Sequence, residues 1–345
     1  MGAFIIPDHL NASQPPERRG IRRDHVRLMT LDRETGFISH GSFFDLGKQL
    51  KTGDLLVLNS SRTVPAVING NWKRTTLSDL SLSTSIEIRL ARYLDDYQWE
   101  ALLLTAGVEL GDVLEFAPDF YAEVIDEHGQ GPFRRLKFNV GGTSLFERIY
   151  QCGHPVRYEY IHEPWSLDYY QTVFATNPGS VEMPSAGRAF SWEMLLKLQR
   201  QGVRLAYIQL HTGLSYLMDD IVKLSPDQNF EAYSVPEATA ALIHKTKAER
   251  GRIIAVGTTV VRALESALDA NGSCTAYHGE TNLYITRGLQ LQVVDGLITG
   301  FHEPEASHLD MLTAFVAPEY LYRSYEEAIQ SSYLWHEFGD MQLIL

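Results

Sequence analysis

Arg252-Ile253-Ile254-Ala255-Val256-Gly257-Thr258-Thr259-Val260-Val261-Arg262-Ala263-Leu264-Glu265-Ser266 holds the pattern that decides the fold. Its first five residues read as a strand, Gly257 as a tight turn, and the positions that follow as a helix from Val260 to Ala270. A strand feeding a helix through a glycine turn leaves free backbone N–H groups at the carboxyl end of a sheet, where open α/β folds take ligands. With Thr259 as N-cap, Arg262 falls in the first turn, where a cation opposes the helix dipole at a cost of about 0.3–1 kcal/mol. Pairing with Glu265, three residues on, offsets that cost. A ligand anion, such as an amino-acid carboxylate or a phosphate, offsets it equally.

The β/α pattern continues on both sides. Ser191 caps a helix with apolar Trp192, Leu195, Leu196 and Leu198, stopped by Gly202. Val203 to Leu210 reads as a strand ending at His211-Thr212-Gly213, and Pro236 opens a helix that Gly251 ends. Two strands, Asn282 to Ile285 and Gln292 to Thr299, are expected after the Gly257 unit, then helices near Leu309–Val316 and Pro318–Ser332. Upstream, Val26 to Leu31 reads as a strand, and Leu55-Leu56-Val57-Leu58 as a buried strand ending in the polar cluster Asn59-Ser60-Ser61-Arg62. Between Val67 and Gly142 the period changes. Short alternating segments (Ile86 to Arg92, Trp99 to Thr105, Val113 to Phe116, Tyr121 to Ile125, Arg135 to Val140) indicate a small β-barrel or sandwich. Leu145 to Tyr150 then returns to helical spacing. The expected architecture is a mixed α/β main domain (1–66 plus 143–345) with an inserted small antiparallel β-barrel domain (67–142).

Composition sets the outer limits. With 345 residues, 44% apolar and 21% charged, the chain has a globular balance and room for two domains. Cys152 and Cys274 lie far apart and outside any ligand spacing, which argues against a disulfide framework and a structural zinc site. No apolar run reaches a membrane span and the first ten residues have no leader pattern, so a cytoplasmic protein is expected, with no membrane and no metal partner and a monomer favoured. The net charge of −13 opposes a nonspecific nucleic-acid coat. Within that acidic chain, Arg18, Arg19, Arg22, Arg23 and Arg27 form the densest basic group. They read either as a solvated irregular arm or as carboxylate- and phosphate-binding side chains.

Several strand ends carry chemistry-bearing residues. His211 and His302 each follow a strand and suit acid/base or hydrogen-bonding work, although a histidine satisfied by backbone fits equally. Pro184-Ser185-Ala186-Gly187 is a turn of small residues that admits a ligand close to the backbone. Ser185 lacks a Gly-x-Ser-x-Gly elbow, and there is no Walker loop and no GxGxxG.

Read in order, these stretches resemble one family. Gly53-Asp54-Leu55-Leu56-Val57-Leu58-Asn59-Ser60-Ser61-Arg62-Thr63-Val64-Pro65-Ala66 looks like its N-terminal motif. Tyr170-Gln171-Thr172-Val173-Phe174-Ala175, with Pro184 to Gly187 and Phe190, resembles its central one. Leu210-His211-Thr212-Gly213, Gly257 to Ser266, Val294 to His302 and Phe338-Gly339-Asp340-Met341 follow in the same sequence. The chain is similar to the S-adenosylmethionine:tRNA ribosyltransferase-isomerases of queuosine biosynthesis, over nearly its whole length, as a divergent member. It departs from the family pattern at Arg188, Ala189, Gln228, Asn229, Asn282, Gly300, Glu305 and Glu337. Ala189 and Asn229 stand where the family carries histidines, and Glu305 where it carries a lysine.

The resemblance implies a transferase that moves and isomerises the ribosyl group of S-adenosylmethionine onto the aminomethyl group of a 7-deazaguanine in tRNA, giving epoxyqueuosine and releasing adenine and methionine. His211, His302 and Glu231 are then the acid/base candidates, since adenine needs a proton as it leaves and the carbon beside a sulfonium is acidic. S-adenosylmethionine, as cosubstrate, is expected against Asn59, Arg62, Tyr170, Gln171, Pro184, Ser185, Gly187, Gly213, Gly257, Thr258, Thr259, Arg262 and Phe301. Within that set Arg62 and Arg262 suit a carboxylate or phosphate, and Tyr170 and Phe301 suit adenine or the sulfonium. The alternatives are a related enzyme with a small-molecule acceptor and a non-catalytic tRNA- or nucleoside-binding paralogue.

Overall fold

Leu55 to Asn59 are all buried, as a run without polar alternation demands of a strand covered on both faces. The computed structural model describes residues 4–73, 84–126, 132–215, 229–304 and 307–345. In chain order it begins with the hairpin β1 (Arg27–Leu31) and β2 (Ile38–Ser42), the central β3 (Leu55–Asn59) and the short β4 (Ser61–Thr63). Next come β5 (Val67–Lys73), β6 (Thr84–Asp95), β7 (Gln98–Leu103), β8 (Val113–Ala117), β9 (Phe120–Asp126) and β10 (Phe133–Phe138). After α1 (Gly142–Cys152), β11 (Gly153–His154) and β12 (Asn177–Ser180), the β/α part follows: α2 (Trp192–Arg200), β13 (Arg204–Leu210), β14 (Glu231–Val235), α3 (Glu237–Ala248), β15 (Ile253–Val256) and α4 (Thr258–Ser266). It closes with β16 (Tyr277–Thr281), β17 (Gly296–Gly300), α5 (Ser307–Leu312), α6 (Pro318–Gln330) and β18 (Met341–Ile344).

The main sheet has nine strands in the order β16-β14-β13-β3-β15-β17-β18-β1-β2. β13, β3, β15 and β17 run parallel, so their carboxyl ends share one edge. β18 slots between β17 and β1. Six antiparallel strands, β5-β6-β7-β10-β9-β8, close into a barrel through the β5–β8 pairing. Closure leaves the barrel no free sheet edge. The alternation is visible in β9, where Phe120, Ala122 and Val124 point inward and Tyr121 and Glu123 outward. The barrel core also takes in Val64, Ala66, Leu145, Ile149, Val181 and Leu214 from the flanking chain.

Several boundaries move for identifiable reasons. Asn282 to Ile285 is not a strand; the strand lies just before it, at β16, paired with β14. Gln292 to Asp295 is not a strand either, because the N–H groups of Gln292, Val293 and Val294 go to the Glu265 carboxylate at 2.9–3.0 Å. Helix α4 starts at Thr258, with Gly257 as N-cap, and stops at Ser266, ahead of the turn that Asp269 holds through Asn271 and Ser273. Ser191 caps α2 as its sequence requires, accepting from the Met194 N–H. Among the described residues no helix is long and apolar enough to cross a membrane.

Candidate functional site at the carboxyl edge of the sheet

Asn59 ends β3 with a fully engaged carboxamide. Its Oδ1 accepts from Ser61 N at 3.0 Å and Leu210 N at 3.1 Å, and its Nδ2 donates to Leu210 O at 2.9 Å and Thr259 Oγ1 at 3.3 Å. These four bonds use all its polar capacity. Asn59 therefore fastens the ends of β3 and β13 and the start of α4 to one another, and it has no bond left for a ligand.

Beside that clamp, Ser61 Oγ lies 2.6 Å from Ser180 Oγ and 2.7 Å from His211 Nδ1. The His211 ring packs on Gly179, which has φ +154° and where a Cβ would come within 2.6 Å of the imidazole. Burial, helped by the nearby His278, lowers the His211 pKa to about 4. At neutral pH the ring is uncharged and offers one N–H donor and one acceptor. Gly213, two residues on, donates its N–H to Glu231 Oε1 at 3.2 Å.

Gly257 has φ +94°, a conformation glycine adopts without strain. A Cβ there would sit 3.4 Å from Ala186, so the turn Pro184–Gly187 and the start of α4 touch. The N–H groups of Thr258 and Thr259 lie in the first turn of α4 and have no intrahelical acceptor. The structure thus brings together two backbone segments that sequence reading assigned to one ligand.

Other expected ligand contacts are placed elsewhere. Arg262 is an internal structural cation: it pairs with Glu231 and donates to the carbonyls of Leu283 (3.0 Å), Asn229 and Thr281 (both 3.4 Å). Its partner is not Glu265, whose carboxylate holds residues 292–294. Glu231 has both oxygens engaged, by Arg262 and Gly213. Phe301 is 2% exposed and packs among Tyr325, Tyr333 and Trp335, so its ring belongs to the core. Gln171 pairs with the Thr63 backbone, accepting at 3.1 Å and donating at 2.8 Å. Tyr170 is buried and tilted against Phe338. Arg62 is exposed, 5.9 Å from the centre of the Tyr150 ring.

His302 Nε2 lies 2.7 Å from Thr299 Oγ1, and its ring stacks on His308 at 4.8 Å. Burial, with His308 and His336 nearby, depresses its pKa and keeps it neutral. Among the described residues no three His, Cys, Asp or Glu side chains are grouped to hold a metal. Gln228 and Glu305 lie outside the described residues; Ala189, in the place of a family histidine, is buried beside Phe190.

The N-terminal arginines are engaged by groups of this chain, although Arg18 and Arg22 stay exposed. Arg19 donates to Phe338 O, Arg22 to Asp24 and Glu193, Arg23 to Glu17, and Arg27 lies 3.8 Å from the centre of the Tyr333 ring. Arg18 faces Trp165 and Tyr169, and Arg188 is 2% exposed and bonded to Glu17 at 2.7 Å. A cleft of about 670 Å³ lies between β5–β6 and residues 150–167, lined among others by Arg89, Arg157, Tyr150 and Trp165.

The Queuosine biosynthesis protein family model matches residues 3–344. The chain belongs to the queuosine biosynthesis protein family. Relatives named S-adenosylmethionine:tRNA ribosyltransferase-isomerase, from Trichlorobacter lovleyi and Aquifex aeolicus, are each 34% identical over 99% of this chain and 98% of their own length. A solved S-adenosylmethionine tRNA ribosyltransferase from Thermotoga maritima is 30% identical, covers 99% of both chains and superposes with a TM-score of 0.55. Family membership accounts for both the barrel and the motif order. The sequence carried no signal for Ser180, Glu182, Tyr158 and Tyr160; Ser61 stood in a polar strand-end cluster and Glu337 at a departure from the family pattern, neither with a role attached.

Proposed function

We propose that this family member catalyses S-adenosylmethionine-dependent transfer and isomerisation of the ribosyl group onto the aminomethyl group of a 7-deazaguanine in tRNA, within the cytoplasm. The observation that carries this reading is the match of ribosyltransferase-isomerase relatives over 99% of the chain. The site supports it. The N–H groups of Thr258 and Thr259, in the first turn of α4 at the carboxyl edge of the sheet, suit an anionic part of the cosubstrate. His211, oriented by Ser61, which Ser180 holds in turn, is the group we assign to the departing adenine, as a neutral hydrogen-bond donor. His302 stands as a second neutral imidazole held by Thr299. Asn59, Glu231 and Arg262 we assign to positioning. We also divide the chain into a main domain, 1–66 plus 143–345, and an inserted domain, 67–142.

A small free nucleoside or base as acceptor is favoured by one observation: five of the six arginines discussed above bond to, or lie on, groups of this same chain through carboxylates, carbonyls or a buried ring, and Arg18 sits over two aromatic rings. Chromatographic measurement of adenine release from S-adenosylmethionine decides between them. Release only with tRNA carrying the aminomethyl base supports the tRNA reaction, release with the free base supports the second reading, and no release under either condition removes both.

A further inference from the structure

Near the strand-end loops, two side-chain oxygens, Glu337 Oε1 and the Tyr170 hydroxyl, have no hydrogen-bond partner among the described residues. Tyr158 and Tyr160 stack almost parallel, ring centres 5.6 Å apart and planes 4° apart, and Tyr160 lies flat on His336 at 3.9 Å. The Tyr160 hydroxyl donates to Glu337 Oε2 in a short contact. Glu337 keeps some exposed surface, yet its Oε1 is sealed from solvent and has no hydrogen-bond partner. The hydroxyl of Tyr170, a residue 4% exposed, is in the same condition, and it lies within the electrostatic reach of Glu337. Tyr170 packs on Phe338, the residue after Glu337, with ring centres 5.3 Å apart, in the cluster that Tyr160 also joins. Buried polar atoms are satisfied in nearly all native structures, so two orphans in one cluster mark an unfilled network.

The surroundings select the ligand's charge. Burial raises the pKa values of Tyr158, Tyr160 and Glu337; the charge of Glu182, held by Ser215 N at 2.7 Å, adds to the rise at Tyr158 and Glu337, and that of Glu303 at Tyr160. Arg188 is the cation felt at Glu337, and it is already committed to Glu17; Arg157, which is exposed, acts with Arg188 on Tyr170. His302 and His336 are held neutral by burial. Tyrosine faces attract a cation, and an anion would meet three carboxylates. A primary ammonium brings several N–H donors on one small head, enough to serve both Oε1 and the Tyr170 oxygen.

We propose that Glu337, flanked by Tyr160 and Tyr170, seats the primary ammonium of the acceptor base and takes the proton that this group must lose before its nitrogen can attack. This rests on the transfer reading above. In the step, one N–H bond breaks and its electron pair stays on nitrogen; an O–H bond forms at Oε1. Ammonium and carboxylate become amine and carboxylic acid. Burial raises the Glu337 pKa to about 7, the range in which a carboxyl can both receive and return a proton at neutral pH.

The test is calorimetry on the full chain with 7-aminomethyl-7-deazaguanine as free base, its 7-methyl analogue, and S-adenosylmethionine. Glu337→Gln should weaken amine binding at least tenfold, to the level of the methyl analogue, and change S-adenosylmethionine affinity less than twofold. At pH 7 the wild type should release about half a proton on binding the amine, because a carboxyl with a pKa near 7 is half protonated beforehand. Buffers of different ionisation enthalpy read that release, which needs no variant. Amine affinity within twofold of wild type in Glu337→Gln, a loss confined to S-adenosylmethionine, or no proton release by the wild type would each overturn the seat. Adenine release by the wild type is followed separately: its absence sinks the transfer reading and leaves the amine measurement standing.

Discussion

Arg262 in α4 and Glu231 in β14 form an ion pair with side chains only 15% and 7% exposed, so the helix that carries the Gly257 turn is fastened to the neighbouring strand by charge. Removing one partner of such a pair leaves the other buried and uncompensated, at about 3–5 kcal/mol. Arg262→Ala should lower unfolding stability by that amount in urea titration. Replacing both residues with apolar side chains of similar volume should recover much of it. A single-variant loss below about 1 kcal/mol would place the pair with ordinary surface bridges.

His211→Gln keeps a hydrogen-bonding side chain but no imidazole. Adenine release should fall by about 10²- to 10⁴-fold, the usual worth of a positioned acid/base group. Ser61→Ala should give a smaller loss, because it removes the hydrogen bond to Nδ1 but leaves the imidazole packed on Gly179. Wild-type turnover in a folded His211→Gln protein would remove His211 from the reaction.

At Gly257, φ is +94° and Ala186 lies close by. Gly257→Ala should cost about 1–3 kcal/mol in stability from backbone strain. Calorimetry should also show S-adenosylmethionine binding weakened about tenfold, the equivalent of roughly 1.4 kcal/mol. Unchanged affinity would move the cosubstrate away from this turn.

Two buried titrations pull stability in opposite directions with pH. His211 titrates near 4 in the fold against 6.5 unfolded, so the unfolded chain binds more protons between those values and stability is lost as pH falls through the window. Glu337 titrates near 7 against 4.5 unfolded, so the native state binds more protons and stability is lost as pH rises from about 4.5 to 7. Melting curves from pH 4 to 8 should show Glu337→Gln gaining on the wild type as pH increases, and His211→Gln gaining as it decreases. Parallel curves for all three proteins would contradict both assignments.

Arg188 and Arg23 are bonded to Glu17, whereas Arg62 and Arg157 are exposed, with no carboxylate bonded to them among the described residues. Each phosphate contact contributes about −0.9 to the slope of log K against log salt on a duplex and about −0.7 on a single strand. Arg62→Ala and Arg157→Ala should each flatten the slope for tRNA by up to about one such contact. Arg188→Met should destabilise the fold and leave the slope unchanged. A reversed pattern would return RNA binding to the N-terminal arginines.

What was legible in the sequence is what short-range physics determines. The apolar run Leu55–Leu58, the Ser191 cap and the alternation of the barrel strands each require only a few neighbouring residues. The partner of Arg262 was not legible: Glu265 has the right helical spacing but spends its oxygens on three backbone N–H groups 27 to 29 residues away. The arginine cluster was legible only in part: Glu17 and Asp24 stand beside it in the sequence, but Glu193, the Phe338 carbonyl and the Tyr333 ring become its neighbours only after folding. β14, β16 and β18 had weak local signals, and their pairing comes from strands distant in the chain. The orphaned oxygens of Glu337 and Tyr170 have no signature in sequence at all.

The place of β18 bears on how the molecule is made. A bond from the Arg27 N–H to Asp340 Oδ1 spans 313 residues, and it stands at the start of the strand that fills the gap between β17 and β1. On the ribosome, the β1–β2 hairpin emerges early and must wait, one edge unpaired, until almost the entire chain has been synthesised. Contacts so far apart in sequence make folding slow and leave that edge open to other nascent chains. Chaperone dependence during expression should therefore be marked, and a stop codon just ahead of Met341 should yield aggregate rather than a slightly shortened enzyme.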